Sequence, residues 1–227
     1  MKLLHKNKAL KRSKTVYYKY GTTPNVIIFG SPTISSAGLI NGFSSSNYVM
    51  LPKKFSPAEG KVWEMVFKVK TGSAVSSQQQ IMGALESQYG GIEFGIKSSK
   101  FVLWLGSNVD SYNIANGVTG SLTVAANTWY WVKVAFDGSK YILAYSTNGT
   151  SYTTDITVTY SSRIVGAQKS FGLDVYGSNY AWAGYINFAE SYIMYNGYIW
   201  WNGTVAEEVS GGSYDYTETK TVYLGIN

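Results

Sequence analysis

Residues 127–138, NTWYWVKVAFDG, change character at every second position. One face of this segment carries large apolar side chains, at Tyr130, Val132, Val134 and Phe136. The other face carries a mixed set, at Trp129, Trp131, Lys133 and Ala135. A period of two residues is that of a β-strand, in which successive side chains point to opposite faces. Burying a side chain such as Val or Phe contributes roughly 1.5–3 kcal/mol, so the apolar face requires a second sheet to pack against.

Turn signals indicate that neighbouring strands pair as hairpins. Asp137 and Gly138 follow the alternating segment, and both residue types favour a tight turn. The dipeptide Asn196-Gly197 separates two short apolar runs and is the strongest hairpin signal in the chain. Residues 98–100 predict another hairpin, between strands at 90–96 and 101–105. Residues 108–120 are expected to form a loop.

The composition favours many short strands joined by tight turns. The chain of 227 residues contains 24 Gly, 20 Tyr and no Cys, and only 14% of its residues are charged. Without cysteine, neither a disulfide nor a thiolate metal site can form. Apolar residues do not recur at helical spacing over a dozen positions. The sequence therefore predicts an all-β protein, an antiparallel β-sandwich of the jelly-roll kind with its sheets about 10 Å apart.

The formal net charge of +6 comes from the N-terminal segment. That segment holds seven of the nineteen basic residues, at Lys2, Lys6, Lys8, Lys11, Arg12, Lys14 and Lys19. The first acidic residue is Glu59, and the remaining twelve basic residues nearly balance the thirteen acidic ones. We predict a basic arm at 1–23, a sandwich at 24–203, and a C-terminal tail at 204–227 that could add a last strand. The arm is either a solvated terminus or an anchor that docks on an acidic partner surface or nucleic acid.

The arm does not have the pattern of an export signal or a membrane span. Apart from Met1, its apolar residues before Val16 are Leu3, Leu4, Ala9 and Leu10. This set is too short and too interrupted for a signal-peptide core or a spanning helix. Export by a cleaved signal is not expected.

Four stretches, in their order and spacing, resemble the concanavalin A-like group of jelly rolls, specifically the laminin-G-like and pentraxin-like domains. These stretches are residues 42–49, 63–69, 127–138 and 181–187. Residues 192–201 and the region that follows at 214–217 resemble the ends of such domains in tailed-phage structural proteins. The resemblance implies a structural protein of the phage virion, in a tail or fibre.

The resemblance also raises the question of calcium, which laminin-G-like and pentraxin-like domains often bind through acidic side chains. Where many members carry Asp after a Gly-x-Ile pattern, this chain has Asn187. Acidic residues that could contribute are scattered rather than clustered, at Asp110, Asp137, Asp155, Asp174 and Glu190. A calcium site needs about six to eight converging oxygens. We therefore expect no cofactor and no metal site.

Hydrolysis is a further activity found among concanavalin A-like sandwiches. It requires a pair of carboxylates on one strand face, close enough for both to reach the sugar. Glu93 shares its face with Gly95 and Lys97, and the adjacent pair Glu207 and Glu208 would point to opposite faces. His5 is the only histidine, and no serine-nucleophile or phosphate-loop motif is present. We expect that the protein is not an enzyme.

Aromatic side chains remain as candidate ligand-binding groups. Rings in loops or on the outer faces of strands could stack on sugars or on a partner protein, because they combine apolar area with a polar edge. The candidates are Trp104, Tyr112, Trp131, Tyr176, Tyr180 and Trp182. Each ring could instead pack within the fold. Trp200 and Trp201 are adjacent, so in a regular strand only one of them would point inward.

Together these observations predict a non-enzymatic virion protein whose laminin-G-like module serves adhesion, to a glycan or host surface, or contact between subunits. Its expected partners are other virion proteins bound through the basic arm, and a homo-oligomer is expected. Nucleic acid is expected only through the arm. Two alternatives stay open: a freestanding carbohydrate-binding lectin, and a glycan hydrolase that depends on Glu93.

Overall fold

The computed structural model describes residues 10–35, 38–52, 55, 57–84, 91–107, 112–160, 169–171 and 180–218, with the backbone alone at 10–22, 84, 169–171 and 205–218. Most of the described residues lie in strands, and no helix occurs in the described ranges. None of these segments is therefore a helix of the length and apolarity needed to span a membrane. The predicted all-β class is confirmed.

Two antiparallel sheets form the body of the protein. The seven-stranded sheet has the order β10 (Ala115–Thr119), β9 (Lys100–Gly106), β8 (Gly91–Lys97), β7 (Gln79–Ala84), β14 (Lys169–Phe171), β5 (Tyr48–Met50) and β2 (Ile27–Phe29). The eight-stranded sheet has the order β13 (Thr153–Thr159), β12 (Lys140–Ser146), β11 (Trp129–Phe136), β6 (Trp63–Lys70), β15 (Tyr185–Tyr195), β4 (Leu39–Asn41) and β3 (Thr33–Ile34). Its eighth strand, β16 (Tyr198–Asn202), pairs with β15.

The core lies between the two sheets. The face of β11 predicted to be apolar is buried, with Val132 and Val134 fully inaccessible to solvent. Phe67 of β6 and Phe94 of β8 meet across the sandwich, with ring centroids 5.8 Å apart. Phe101 of β9 and Tyr130 of β11 meet edge to face at 5.5 Å. Because each of these pairs joins one sheet to the other, they establish the two-layer packing that the alternation predicted.

The hairpin turns lie at the residues that the sequence predicted for them. Ser98 and Ser99 both have positive φ between β8 and β9, which is the geometry of a two-residue hairpin turn. Asn196 and Gly197 have φ of 50° and 85° and join β15 to β16. The interval 108–120, predicted to be a loop, instead contains β10, which pairs with β9. One face of this edge strand is open to water, so the strand carries polar residues and glycine. For this reason its sequence resembles that of a loop.

The two adjacent tryptophans of β16 both contact the core because the strand is not regular. The register passes from Ile193–Trp201 to Met194–Ile199, so Trp200 is an extra residue in a β-bulge. Trp201 is buried, and the half-buried Trp200 packs edge to face on Phe55 with ring centroids 5.0 Å apart. A bulge breaks the two-residue alternation, and it thereby lets neighbouring rings pack on one side.

The chain divides into two compact units. One is formed by residues 21–205 and contains both large sheets. The other is formed by residues 1–20 and 206–227. A two-stranded sheet pairs β1 (Leu10–Pro24) with β17 (Thr204–Glu218), so described residues of the predicted arm and of the predicted tail are strands.

Candidate functional site

The outer surface of the eight-stranded sheet carries aromatic and charged side chains in rows across three strands. We call this surface the aromatic–lysine face; it consists of Glu64, Lys68, Lys70, Trp129, Trp131, Lys133, Tyr185, Asn187, Glu190 and Tyr192. The register aligns Tyr185, Lys70 and Trp129 side by side, which we call the Lys70 row. The next row, the Lys68 row, aligns Asn187, Lys68 and Trp131. Adjacent strands lie about 4.8 Å apart and successive rows about 7 Å apart, so the sheet sets the spacing of these rings.

Lys68 lies between two indole rings and a carboxylate. Its Nζ is 4.4 Å from the ring centroid of Trp131 and 5.3 Å from that of Trp129. Glu190 accepts a hydrogen bond from the same Nζ at 2.5 Å. The side chain of Lys68 is only 17% exposed, so these contacts replace most of its water. Cation–π contacts of this kind fix the ammonium over the rings.

A wide bulge in β15 places Glu190 beside Lys68. The register passes from Asn187–Lys68 to Tyr192–Val66, so several extra residues of β15 lie between these two pairs. Ser191, fully buried, holds the bulge: its hydroxyl donates to the Asn187 carbonyl at 2.6 Å and accepts from the Lys68 backbone N–H at 3.2 Å. The Asn187 side-chain amide donates to Glu190 at 3.0 Å. The carboxylate is therefore positioned by two neighbours on the face, Lys68 and Asn187.

The far end of the face forms a second charged cluster. Glu64 accepts a hydrogen bond from the Tyr192 hydroxyl at 3.1 Å, and the Lys133 Nζ lies 3.9 Å from its other oxygen. Lys133 also lies 4.4 Å from the ring centroid of Tyr152. Burial raises the pKa of Tyr152, and the negative charge of Glu64 raises it further. The Tyr152 phenol therefore stays protonated at neutral pH.

The turn at residues 147–150 supports the ring of Trp131. Gly149 has φ of +77°, and a Cβ built on it would lie 2.8 Å from Cε2 of Trp131, closer than real contacts allow. The turn is fixed by Asn148, whose side-chain oxygen accepts from the backbone N–H groups of Thr150 and Ser151 at 2.9 and 3.0 Å. The indole therefore packs directly on the turn backbone, at a position that only glycine fills without strain.

The face offers both ring surface and polar groups to a ligand. Trp129 and Trp131 are half-buried, and Tyr185 is 39% exposed. The side chain of Glu190 is 45% exposed. Rings held on a rigid sheet beside hydrogen-bonding groups suit a ligand that has apolar faces and polar edges, such as a sugar.

The sequence-predicted ligand rings are not brought together. Trp131 lies on the aromatic–lysine face, whereas Trp104 and Tyr112 belong to the outer side of the seven-stranded sheet, with ring centroids 6.5 Å apart. Trp104 is only 7% exposed. The half-buried Tyr180 accepts a backbone hydrogen bond from Gln80 at 2.7 Å.

The prediction for Trp182 is wrong. Its side chain is 1% exposed and belongs to the core, and its Nε1 donates to the Tyr185 carbonyl at 3.3 Å. A ring buried in this way has no face open to a ligand.

The remaining predicted residues fall outside what the structure describes. Tyr176, Lys2, Lys6 and Lys8 are not among the described residues. For four further basic residues only the backbone is described, at Lys11, Arg12, Lys14 and Lys19. An anchoring role for the basic arm stays a prediction.

Sequence reasoning missed most of the aromatic–lysine face, although the signal was present. The alternation in β11 placed Trp129 and Lys133 on the same side as Trp131, and the alternation in β6 placed Lys68 opposite the core. Reading the outer faces of both strands together would have identified five further members, at Glu64, Lys68, Lys70, Trp129 and Lys133. The position of Tyr185 depends on the pairing of β15 with β6, a contact between residues more than a hundred positions apart.

Two other predictions concern acidic residues: that the protein has no metal site, and that the protein, if it is a glycan hydrolase, would depend on Glu93. Within the described ranges no group of three or more His, Cys, Asp or Glu side chains is arranged to hold a metal ion. The Asn187 amide is engaged by Glu190 and by the Ala189 backbone N–H. Glu93 is 3% exposed and lies directly opposite Trp104 in the register of β8 and β9.

The two-layer architecture has the jelly-roll fold of the concanavalin A-like group, as the sequence predicted. A solved structure described as HCR/D-Sa-GBL1/C matches with a TM-score of 0.55 and 14% identity, over 79% of this chain and 48% of that one. The enzymatically active domain of tailspike protein 2 from bacteriophage CBA120 matches with a TM-score of 0.52 and 12% identity, over 77% of this chain and 29% of that one.

A third structure is of botulinum neurotoxin type C, whose uptake into cells is described as dependent upon interaction with two ganglioside molecules. It matches with a TM-score of 0.51 and 13% identity, over 79% of this chain and 47% of that one. The chain thus spans about half the length of two of these structures and under a third of the tailspike. No protein-family model and no curated protein matches the sequence.

Proposed function

We propose that the protein is a non-catalytic, glycan-binding structural protein of a phage particle, and that the aromatic–lysine face is its binding surface. The observation that carries the proposal is the alignment of Trp129, Trp131 and Tyr185 with lysine and carboxylate side chains on one sheet face. Aromatic rings stack on the apolar faces of sugars, and the charged groups bond to hydroxyls. The sheet holds these groups in place before binding, which reduces the entropy lost on association.

The structural neighbours support the choice of a glycan and of a virion. The fold is shared with a bacteriophage tailspike and with a neurotoxin described as interacting with gangliosides. The resemblance of residues 192–201 and 214–217 to the ends of tailed-phage domains favours the same setting.

Glycan binding is tested with a Trp129→Ala variant on a glycan array, followed by titration calorimetry on the best ligand. We expect binding about tenfold weaker than that of the unmodified protein, because the variant loses one stacking ring. Tyr198→Ala is the matched control: Tyr198 is 48% exposed but lies at the β15–β16 turn, away from the face. Equal losses in both variants, or no glycan bound by the unmodified protein, would contradict the proposal.

The absence of catalysis is tested by product release from every glycan that binds. Both carboxylates of the face accept hydrogen bonds from neighbours, Glu190 from Lys68 and Asn187, and Glu64 from Tyr192. We expect no turnover. Turnover that disappears in Glu64→Gln, Glu190→Gln or Glu93→Gln, with folding retained, would make the protein a hydrolase.

The virion setting is tested by mass spectrometry of purified phage particles. We expect the protein in the particles at a fixed ratio to the other structural proteins. If it is found free in the lysate and not in particles, while glycan binding persists, the freestanding lectin is the correct alternative.

A second candidate function, contact between subunits, is favoured by the strands at one end of each sheet. Ile27 and Ile28 of β2 are 41% and 44% exposed, and Ile34 of β3 is 40% exposed. Exposed apolar edge strands are templates for pairing with another chain. Light scattering should show an oligomer that Ile28→Lys dissociates, whereas a monomer at all concentrations would exclude this contact.

A further inference from the structure

We propose that the Lys70 row binds the carboxylate of an acidic saccharide. This inference rests on the proposed glycan-binding function and adds the chemical class of the ligand. Lys70 is half-buried at the end of β6, with Tyr185 beside it on one neighbouring strand and Trp129 on the other. A sugar that stacks on either ring would bring a substituent to the ammonium group between them.

The charges on the face single out Lys70 among its three lysines. Lys68 is paired with Glu190 at 2.5 Å, and Lys133 lies 3.9 Å from Glu64. Lys70 makes no ion pair within the described part of the chain. The face therefore has one positive charge that no carboxylate of the described residues balances, and it lies in the row that contains two rings.

The carboxylates of the face direct an anion to the same place. Glu190 lies in the region of the Lys68 row and Glu64 lies beyond it, so a ligand carboxylate would be repelled there. At Lys70 it meets an ammonium group, and hydrogen bonds between charged partners are about twice as strong as neutral ones. The Lys70 Nζ lies over the Tyr185 ring, 6.0 Å from its centroid, so the ammonium is at the outer limit of a cation–π contact and can still meet a ligand oxygen.

The backbone around Lys70 is fixed before a ligand arrives. Thr71, the next residue, is buried, and its backbone N–H donates to the Thr128 carbonyl at 3.0 Å. Its hydroxyl donates to the Ala125 carbonyl at 2.8 Å and accepts from the Thr128 N–H at 2.9 Å. On the other side, a Cβ on Gly184 would lie 1.8 Å from the Lys70 carbonyl oxygen, so the backbones are in close contact. These contacts hold the two rings and the lysine at a constant spacing.

The test compares charged and neutral forms of the same sugars by titration calorimetry at about 0.15 M salt, where long-range charge effects are screened. The probes are trigalacturonate with its methyl ester, and sialyllactose with lactose. For at least one pair we expect the affinity for the charged form to be at least about tenfold higher than the affinity for the neutral form. Lys70→Gln should reduce the ratio of charged-form to neutral-form affinity to about one, and this ratio, rather than the affinity for the neutral form, is the measured quantity.

Two variants control for net charge and for folding. Lys97→Gln makes the same charge change at an exposed site at the end of β8 and should bind all probes like the unmodified protein. Lys70→Arg keeps the charge and should restore preference for the acidic sugar, which a merely structural role of Lys70 would not explain. Circular dichroism of each variant reports folding.

The outcomes separate this inference from the function on which it rests. If neutral sugars bind as well as acidic ones and Trp129→Ala weakens both, the glycan-binding face stands and the role of Lys70 is overturned. If Lys70→Gln and Lys97→Gln weaken acidic sugars equally, the effect is one of net charge and the inference is also overturned. If no sugar binds at all, both proposals fail.

Discussion

At the scale of single residues, the aromatic–lysine face depends on positions that are not themselves on it. Gly149 lies under the Trp131 ring in a conformation with φ of +77°. Ser191, fully buried, joins the bulge of β15 to the backbone of Lys68. These small residues orient the large ones, because a ring or an ammonium can be positioned only by atoms that pack against it.

Replacing Gly149 by alanine should affect both stability and binding. The positive φ alone costs roughly 1–2 kcal/mol for a residue with a Cβ. The added Cβ would also collide with Trp131, so the ring must move. We expect Gly149→Ala to lower the free energy of unfolding by more than that amount and to weaken glycan binding, measured by urea unfolding and calorimetry.

Gly197→Ala is the matched control for this variant. Gly197 also has a positive φ, of 85°, but a Cβ there would meet nothing within 4 Å. Gly197→Ala should lower the free energy of unfolding by the cost of the positive φ alone, and it should leave glycan binding unchanged. Equal effects of the two variants on binding would mean that Gly149 does not position Trp131.

Asp137 makes the β11–β12 turn sensitive to acid. The backbone N–H of Ser139 is the largest of the contacts that lower the pKa of Asp137 from its usual value of 3.8, and burial opposes them. Because the folded-state pKa lies below the unfolded one, the charged carboxylate stabilises the fold above pH about 4, and this contribution is lost as the pH falls through the folded pKa. The Tm advantage of the unmodified protein over Asp137→Asn should therefore shrink below pH about 4.

Asparagine is a suitable comparison because its side-chain oxygen can still accept the turn hydrogen bonds without titrating. Scanning calorimetry between pH 7 and pH 2.5 gives the difference in Tm between the unmodified protein and Asp137→Asn. A Tm difference that is constant over this range would show that Asp137 does not contribute through its charge.

At the scale of elements, irregularities in the strands decide which side chains reach the core and which reach the aromatic–lysine face. The bulge at Trp200 brings two adjacent rings onto the core side of β16. The wider bulge in β15 presents Glu190 to Lys68. In a sheet, an extra residue shifts the alternation of everything beyond it, so a short irregularity changes the chemistry of a whole face.

Within β16, Trp201 and Ile199 should differ sharply in their contribution to stability. Trp201 is 3% exposed, packs near Phe67 and Phe188 with ring centroids 6.2 and 6.1 Å away, and donates to the Asn25 carbonyl at 2.9 Å. Trp201→Ala should lower the free energy of unfolding by about 3–5 kcal/mol. Ile199 is 44% exposed, and Ile199→Ala should cost under about 1 kcal/mol. Denaturant unfolding measures both, and similar costs would contradict the assigned register.

At the scale of the whole molecule, the division into two units separates the sandwich from the termini. The sandwich unit at residues 21–205 contains both large sheets and the core cluster. The other unit contains the basic N-terminal residues together with residues 206–227. This separation agrees with a proposal in which one part of the protein binds a ligand and the other attaches it to a particle.

Removal of residues 1–20 should leave the sandwich folded. The unit at 21–205 keeps its core without them, so we expect a Tm within a few degrees of that of the full chain. In phage propagation the truncated protein should be absent from purified particles, because the basic arm is the proposed anchor. Normal incorporation would refute the anchoring role, and loss of folding would show that the termini stabilise the sandwich.

Local sequence patterns were sufficient to predict the two-layer β architecture, the apolar faces of β6 and β11 and the turns at 98–99, 137–138 and 196–197. These features follow from local alternation and from backbone conformations that few residues adopt. Three features could be seen only in the folded protein: Trp182 lies in the core, Trp200 occupies a bulge, and Tyr185, Lys70 and Trp129 share one row. The physical reason is that strand pairing joins residues far apart in the chain, and neither the choice of partner nor its register is encoded in any one segment.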